Sequence, residues 1–477
     1  MPPCSELGRA MWPPLTETTA KVDADDGSKH WTLLTKVVLM RKAVWWIICG
    51  SLAMQSVFLS VSMAADSWPQ FRGPWANGHA STPGDEKPLG VPLHWSETEN
   101  VKWKTPIPHK GWSTPVVMDG HIWLTTATED GHEFFVVCVN AQTGVVELNK
   151  KLFEADDPEP LGNNMNCYAS PTAVVEPGRV YIHFGTYGTA CLDTTSFEVI
   201  WQRSDLPCRH YRGPGSSPAV WKDLLIVTMD GVDVQYLAAL NKKSGKTVWK
   251  TDRTTDWDDL DADGKPLREG DLRKAYTTPL FIDVNGKPQM ISIGARAAYA
   301  YDPANGDEIW KVCYSGYSNA ASPVFGNGLA YIITGYGRTE LYAVRVDGRG
   351  DVTDTHVVWK ATRAMPRNPS PVLIGELLFT LSDSGVFTCL DALTGDEVWT
   401  SRLRGNYAAS PLYADGRIYC LSREGVTTVF NAGCSEQVLA TNSLESGFMA
   451  SPAVVGNALI LRTKTHLYRI EEPSGVQ

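Results

Sequence analysis

The chain has 477 residues and a formal net charge of −10 at pH 7. That balance argues against a nucleic-acid partner, which needs clustered basic surface. With 41 glycines, 30 prolines and 43% apolar residues it describes a turn-rich globular β protein and excludes a disordered one.

In chain order, residues 1–39 are polar and carry no repeat, so they read as an upstream segment, with Met40 as an alternative start to Met1. From Met40, "MRKAVWWIICGSLAMQSVFLSVSMAADSW" sets two positive charges before an apolar run that ends in small residues. This is the pattern of a secretory signal over residues 40–65, cleaved near Ala64 or Ala65. Ser and Gln interrupt the run, which weighs against a retained membrane anchor. The expectation is an exported protein, periplasmic or extracellular, with no stable membrane span after cleavage. Residues 66–98 form an N-terminal extension, 99–472 a repeat domain and 473–477 a tail.

Within the repeat domain Ser or Thr precedes prolines 115, 171, 218, 279, 323, 371, 411 and 452, which stand 40 to 61 residues apart, each opening a short β-like run. That period is about four short strands, the size of a propeller blade. Proline lacks a backbone N–H and suits an innermost strand with a free edge. A second mark follows in most copies, as in "LNKKSGKTVWK", "YDPANGDEIWK" and "LDALTGDEVWT": Asp or Asn leads into a Gly turn, and Trp opens the outer strand. Trp201, Trp249, Trp310, Trp359 and Trp399 are expected between neighbouring blades, while Leu148 and Leu439 take the Trp place in two copies. The last copy ends at "HLYRIEE" without an outer strand, and "ENVKWKTPI" precedes the first, so Trp103 supplies the missing one. The predicted fold is all-β, an eight-bladed propeller closed by its N- and C-terminal strands.

Ten cysteines are present. Cys138, Cys191 and Cys389 precede the turn formula and read as small core residues. Cys167 and Cys208 lie in loops near the starts of neighbouring blades and stand as candidate disulfide partners or as free thiols. The stretch "DWDDLDADGKPLREGD" offers Asp259, Asp261 and Asp263 before Gly264, the opening of a calcium-loop spacing. Its twelfth position is Gly270, which excludes a complete EF-hand and leaves a looser metal loop or a solvated loop.

The "LDALTGDEVW" formula resembles the tryptophan-docking repeat of pyrroloquinoline quinone (PQQ)-type propellers, which include quinoprotein alcohol dehydrogenases and a lipoprotein factor of outer-membrane protein assembly. "WPQFRGPWANG", "RHYRGPGSSP" and "GDLRKAYTTP" further resemble an exported bacterial subfamily. The resemblance implies the fold and leaves the activity open. The dehydrogenases are recognised by an adjacent cysteine pair, a catalytic Asp and calcium ligands, and no adjacent cysteines occur here.

The remaining candidate site is the propeller's funnel, where residues just before each Ser/Thr-Pro pair and the loops between second and third strands meet. The first set gives Trp112, Tyr168, Tyr276, Arg367, Asn368 and Tyr407. The second gives Arg296, Arg338 and Arg423, and a blade-linking loop adds His210 and Arg212. Aromatic rings beside Arg and Asn suit a sugar, peptide or anionic group. The reading is a non-catalytic binding module or envelope scaffold, with an unidentified protein or glycan partner and no cofactor. The alternatives are a PQQ-dependent oxidoreductase, which requires PQQ and calcium, and a carbohydrate-binding propeller acting on anionic glycans.

Overall fold

The computed structural model describes residues 67–81 and 87–473; the expected signal peptide and upstream segment lie outside them. Eight sheets, antiparallel but for one added parallel strand, follow one another as the blades of a β-propeller. Blades 1 to 7 span residues 116–154, 174–203, 219–252, 280–313, 324–361, 372–402 and 412–443. Blade 8 combines residues 453–470 with the strand Val101–Pro106, which pairs antiparallel with His466–Ile470.

Each blade's geometry follows from the repeated residues. The innermost strands are three to five residues long, and in seven blades they begin directly after the proline. Blade 2 departs from the sequence reading. Its innermost strand is Val174–Glu176, and Thr172-Ala173, not Ser170-Pro171, stands in the Ser-Pro place. The hydroxyls show this directly, because the backbone N–H of Thr114 donates to Thr172 Oγ1 at 2.9 Å and that of Thr172 donates to Ser217 Oγ at 2.9 Å. The same bond recurs from Ser217 to Thr278, Ser322 to Ser370, Ser370 to Ser410 and Ser410 to Ser451. A hydroxyl in front of the proline therefore satisfies the neighbouring blade's orphan N–H around the axis.

The outer strands use tryptophan for the same purpose. The indole N–H groups of Trp103, Trp201, Trp249, Trp359 and Trp399 donate to Ala141, Lys242, Pro303, Ala392 and Gly433 oxygens of the next blade at 3.0–3.2 Å. Each ring is half-buried on the following turn. A Cβ on Gly395, at φ +80°, would lie 2.6 Å from the Trp359 ring, so the turn glycine supplies both the left-handed backbone and the room. Trp103 joins blade 8 to blade 1, where Arg462 of blade 8 also donates to Ser113 Oγ at 2.6 Å.

Three junctions depart from the expected pattern. Trp310 is fully buried and donates to Gln289 Oε1 of its own blade, because the segment Gly350–Asp351 of blade 5 adds a parallel strand over Trp310 and Lys311. Leu148 holds the Trp place in blade 1, opposite Cys138 as Trp201 is opposite Cys191, and the bulk moves to Trp123 on the second strand. In blade 7 the register gives the Trp place to Ala440, not to Leu439: Ala440 faces Val429 as Trp399 faces Cys389. The vacancy is covered from outside the repeat. Trp95 of the extension stacks on Tyr419, centroids 6.3 Å apart, as Trp359 contacts Tyr331 and Trp399 contacts Phe379.

The extension is thus part of the ring. Trp68 bridges Val117 of blade 1, the Pro69 oxygen accepts from Val175 of blade 2, and Arg72 Nη2 donates to the Pro371 oxygen beside blade 6 at 2.6 Å. The Gly78 oxygen then accepts from Tyr413 of blade 7. Residues 68–80 consequently run across the innermost strands from one side to the other. Further on, Leu89, Gly90 and Val91 donate to the Asp415 carboxylate at 2.7–2.9 Å, which clamps the extension on blade 7.

Candidate functional site

A cavity of about 320 Å³ opens where the chain enters the innermost strands. Its inner wall is the hydroxyl ring, with Thr114, Thr172, Ser217, Thr278, Ser410 and Ser451 all lining it, and Phe71 of the crossing segment closes it off. Around the mouth stand Trp112, Tyr276, Tyr317 and Tyr336, with the amides Asn163, Asn166 and Asn368 between them. The lining is lopsided. Long loops before blades 2 to 4 bring Asn163, Arg212, Asp271 and Lys274, whereas blades 7 and 8 bring Ala408 and Met449 beside their serines.

Of the eleven funnel residues expected from sequence, four line the cavity: Trp112, Arg212, Tyr276 and Asn368. Trp112 Nε1 is buried and has no hydrogen-bond partner, which leaves a donor for a ligand oxygen. The Arg212 guanidinium lies 4.7 Å from the centre of the Tyr211 ring, with one weak bond to the Leu161 oxygen at 3.5 Å. Asn368 is held by Asp383, and Arg367 stacks at 4.9 Å over Tyr336, so it shapes the mouth from outside.

The other six do not line it. Tyr168 is buried against Phe134 and donates to the Glu159 oxygen, and Tyr407 is buried and donates to the Arg404 oxygen. His210 sits behind the wall. Its Nε2 accepts from the Thr186 N–H at 3.1 Å, so the proton rests on Nδ1, facing Cys208 Sγ, and burial lowers the imidazole to about 4. Arg296 donates to the Trp257 oxygen, and Arg338 reaches out to Glu340 with its side chain 75% exposed. Arg423 accepts at its carbonyl from Lys464 Nζ. The positive charge at the cavity instead comes from Arg212 and Lys274. Burial first, then the Arg212 guanidinium, lower Lys274 to about 7, while the Asp271 carboxylate against its Nζ acts the other way.

Two further candidates were left open by the sequence. Asp259 is buried in a bidentate pair with Arg273, Asp261 accepts from the backbone of Asp263 and Lys265, and the three carboxylates do not converge on one point. That loop is held by its own Arg and turn bonds. Cys167 and Cys208 are free thiols: Cys167 Sγ faces Ser170 Oγ at 3.3 Å and Cys208 Sγ faces His210 at 3.7 Å. Among the residues sequence reasoning missed, Lys274 and Asp271 stood in the quoted "GDLRKAYTTP", and Tyr317 precedes its Ser-Pro pair by a few residues more than expected. The hydroxyl ring was visible as the repeated Ser or Thr but was read only through its proline.

The family described as outer membrane protein assembly factor BamB matches residues 171–349 and 346–475. The chain belongs to that family. Among solved structures, the quinohemoprotein alcohol dehydrogenase of Comamonas testosteroni is similar over 87% of this chain and 82% of its own, at 11% identity and TM-score 0.63. BamB of Moraxella catarrhalis is similar over 77% of this chain and 99% of its own, at 13% identity and TM-score 0.52. A europium-containing methanol dehydrogenase gives 85% and 89%, at 12% identity and TM-score 0.51. At such identities the likeness establishes the PQQ-type propeller fold that BamB and the dehydrogenases share, and nothing of their chemistry. No curated protein matches the sequence.

Quinone chemistry can be tested on the cavity itself. Calcium beside a quinone needs several converging oxygen ligands; the lining provides one carboxylate, Asp271, already against Lys274, and the amides of Asn163, Asn166 and Asn368. Cys167, the cysteine next to the lining residue Asn166, has no adjacent cysteine in sequence. No catalytic step is derived through the group.

Proposed function

We propose that this protein is a non-catalytic, exported binding propeller whose funnel cavity takes a hydroxyl-rich ligand, with acidic groups on that ligand directed toward Arg212 and Lys274. One observation carries this reading: flat rings (Trp112, Tyr276, Tyr317, Tyr336), amides and a ring of hydroxyls share one cavity, with both cations on one side. Aromatic faces cover the apolar face of a sugar, and amides and hydroxyls exchange hydrogen bonds with its rim. The lopsided charge orients the ligand. Among the described residues no helix is long and apolar enough to cross a membrane. Membership of the BamB family supports a second use of the same face, the docking of a polypeptide in envelope assembly.

Calorimetric titration with neutral oligosaccharides, polyuronates and sulfated glycans tests the reading, run on wild type and on Trp112→Ala and Asn368→Ala. We expect a uronate-type ligand to bind wild type and to lose about tenfold or more in affinity in each variant, about 1.4 kcal/mol. Absence of any glycan binding, or equal binding by all three proteins, contradicts it. A bound chromophore on adding PQQ and calcium would favour the oxidoreductase instead.

A further inference from the structure

We propose that blade 1 carries a zinc-class divalent cation site away from the funnel, formed by His121 Nε2, Cys138 Sγ and a Glu147 carboxylate oxygen. Ligating atoms of these three residues lie within 4.8 Å of one another. His121 Nε2 and Glu147 Oε2 are 3.2 Å apart, close to the edge of a tetrahedron with metal bonds of roughly 2.0–2.3 Å. The three residues come from the consecutive strands His121–Ala127, Glu133–Asn140 and Val146–Glu154 of one sheet, so the sheet's own hydrogen bonds hold them in place.

The supporting contacts also suit a metal. Glu147 Oε1 accepts from Asn140 Nδ2 at 2.9 Å, and Asn140 is itself fixed by the backbone N–H groups of Gln142 and Thr143. Such outer hydrogen bonds orient a ligating carboxylate. The His121 ring contacts Trp123 and Phe197, which wall one side. Cys138 is buried while His121 and Glu147 are half-exposed, so an ion enters from solvent past His121 and Glu147 and keeps a fourth position for water.

The repeat itself provides the comparison. Cys191 and Cys389 occupy the same register position as Cys138 in blades 2 and 6. There the places of His121 and Glu147 are taken by Arg179 and Ile200, and by Leu377 and Val398. Blade 1 alone among these three adds an imidazole and a carboxylate above the thiol. Binding forms a sulfur–metal bond as the Cys138 S–H proton leaves to solvent, so affinity rises with pH.

The test is cobalt(II) titration of the full-length, chelator-treated protein. We expect one cobalt per chain with a thiolate-to-cobalt charge-transfer band that zinc abolishes. Cys138→Ala should lose the band and Cys389→Ala should keep it. His121→Gln and Glu147→Gln, at half-exposed positions that tolerate polar replacement, should weaken cobalt binding at least about tenfold. They keep the test decisive should Cys138→Ala misfold. No thiolate band in wild type, or a band that survives in Cys138→Ala, overturns the site and leaves a His–Glu ion pair over a core cysteine.

Discussion

Asp230 and Arg253 form a bidentate pair at 2.7 and 3.0 Å with both side chains 1% exposed, and Arg253 also donates to Ser292 Oγ. The Asp230 carboxylate holds the guanidinium above its usual range. Removing one partner strands a buried charge, so Arg253→Leu or Asp230→Ala should lower stability by about 3–5 kcal/mol in urea denaturation. An Asp230→Leu/Arg253→Leu double variant should recover part of that loss. Arg338→Ala, at an exposed ion pair, should change stability by less than about 1 kcal/mol. Equal losses at the two sites would contradict this account. Loop position was legible in the sequence and burial was not. The repeat period says where a side chain starts; whether Tyr168 or Tyr407 turns into the core depends on neighbouring blades. The four funnel residues that line the cavity are those whose loops face the axis.

At the scale of the blade, the repeat was legible because its chemistry is local: hydroxyl, proline, turn glycine and tryptophan each act within one or two strands. Trp95 was not legible, because it lies outside the repeat and does the work of a residue that blade 7 lacks. It is buried, its indole N–H donates to no partner, and its backbone N–H donates to Asn442 Oδ1. Trp95→Ala should therefore cost about 3–5 kcal/mol, as truncation of a buried Trp does. In the otherwise unchanged protein Ala440→Trp should also destabilise, since Trp95 already fills that space. A Trp95→Ala protein with an unchanged thermal midpoint would show that the extension merely lies against the ring. Leu439 was misplaced for a related reason: the turn between the last two strands of blade 7 differs from its counterparts, and register fixes the docking position more reliably than distance from glycine.

Over the whole molecule, three histidines among the described residues are buried in neutral form. Burial lowers His183 to about 3, and His79 and His210 to about 4. Because these folded values lie below the unfolded value of roughly 6.5, the unfolded chain takes up protons that the native one refuses, so stability is fully present above about pH 6.5 and is lost as pH falls toward 4. Each histidine contributes at most about 1.4 kcal/mol per pH unit in that window. The urea midpoint should be lower at pH 5 than at pH 7, and His183→Gln should flatten the difference; identical midpoints would contradict the assignment. The crossing segment 68–80 ties four blades together beneath the cavity, so a ligand seated there meets a floor that is already built. Hydrogen exchange on the wild-type protein with its uronate-type ligand tests that central claim most directly. We predict slower exchange confined to the loops bearing Trp112, Asn166, Lys274, Tyr317 and Asn368, with the outer strands unchanged; protection along the outer strands with none at these loops would contradict it.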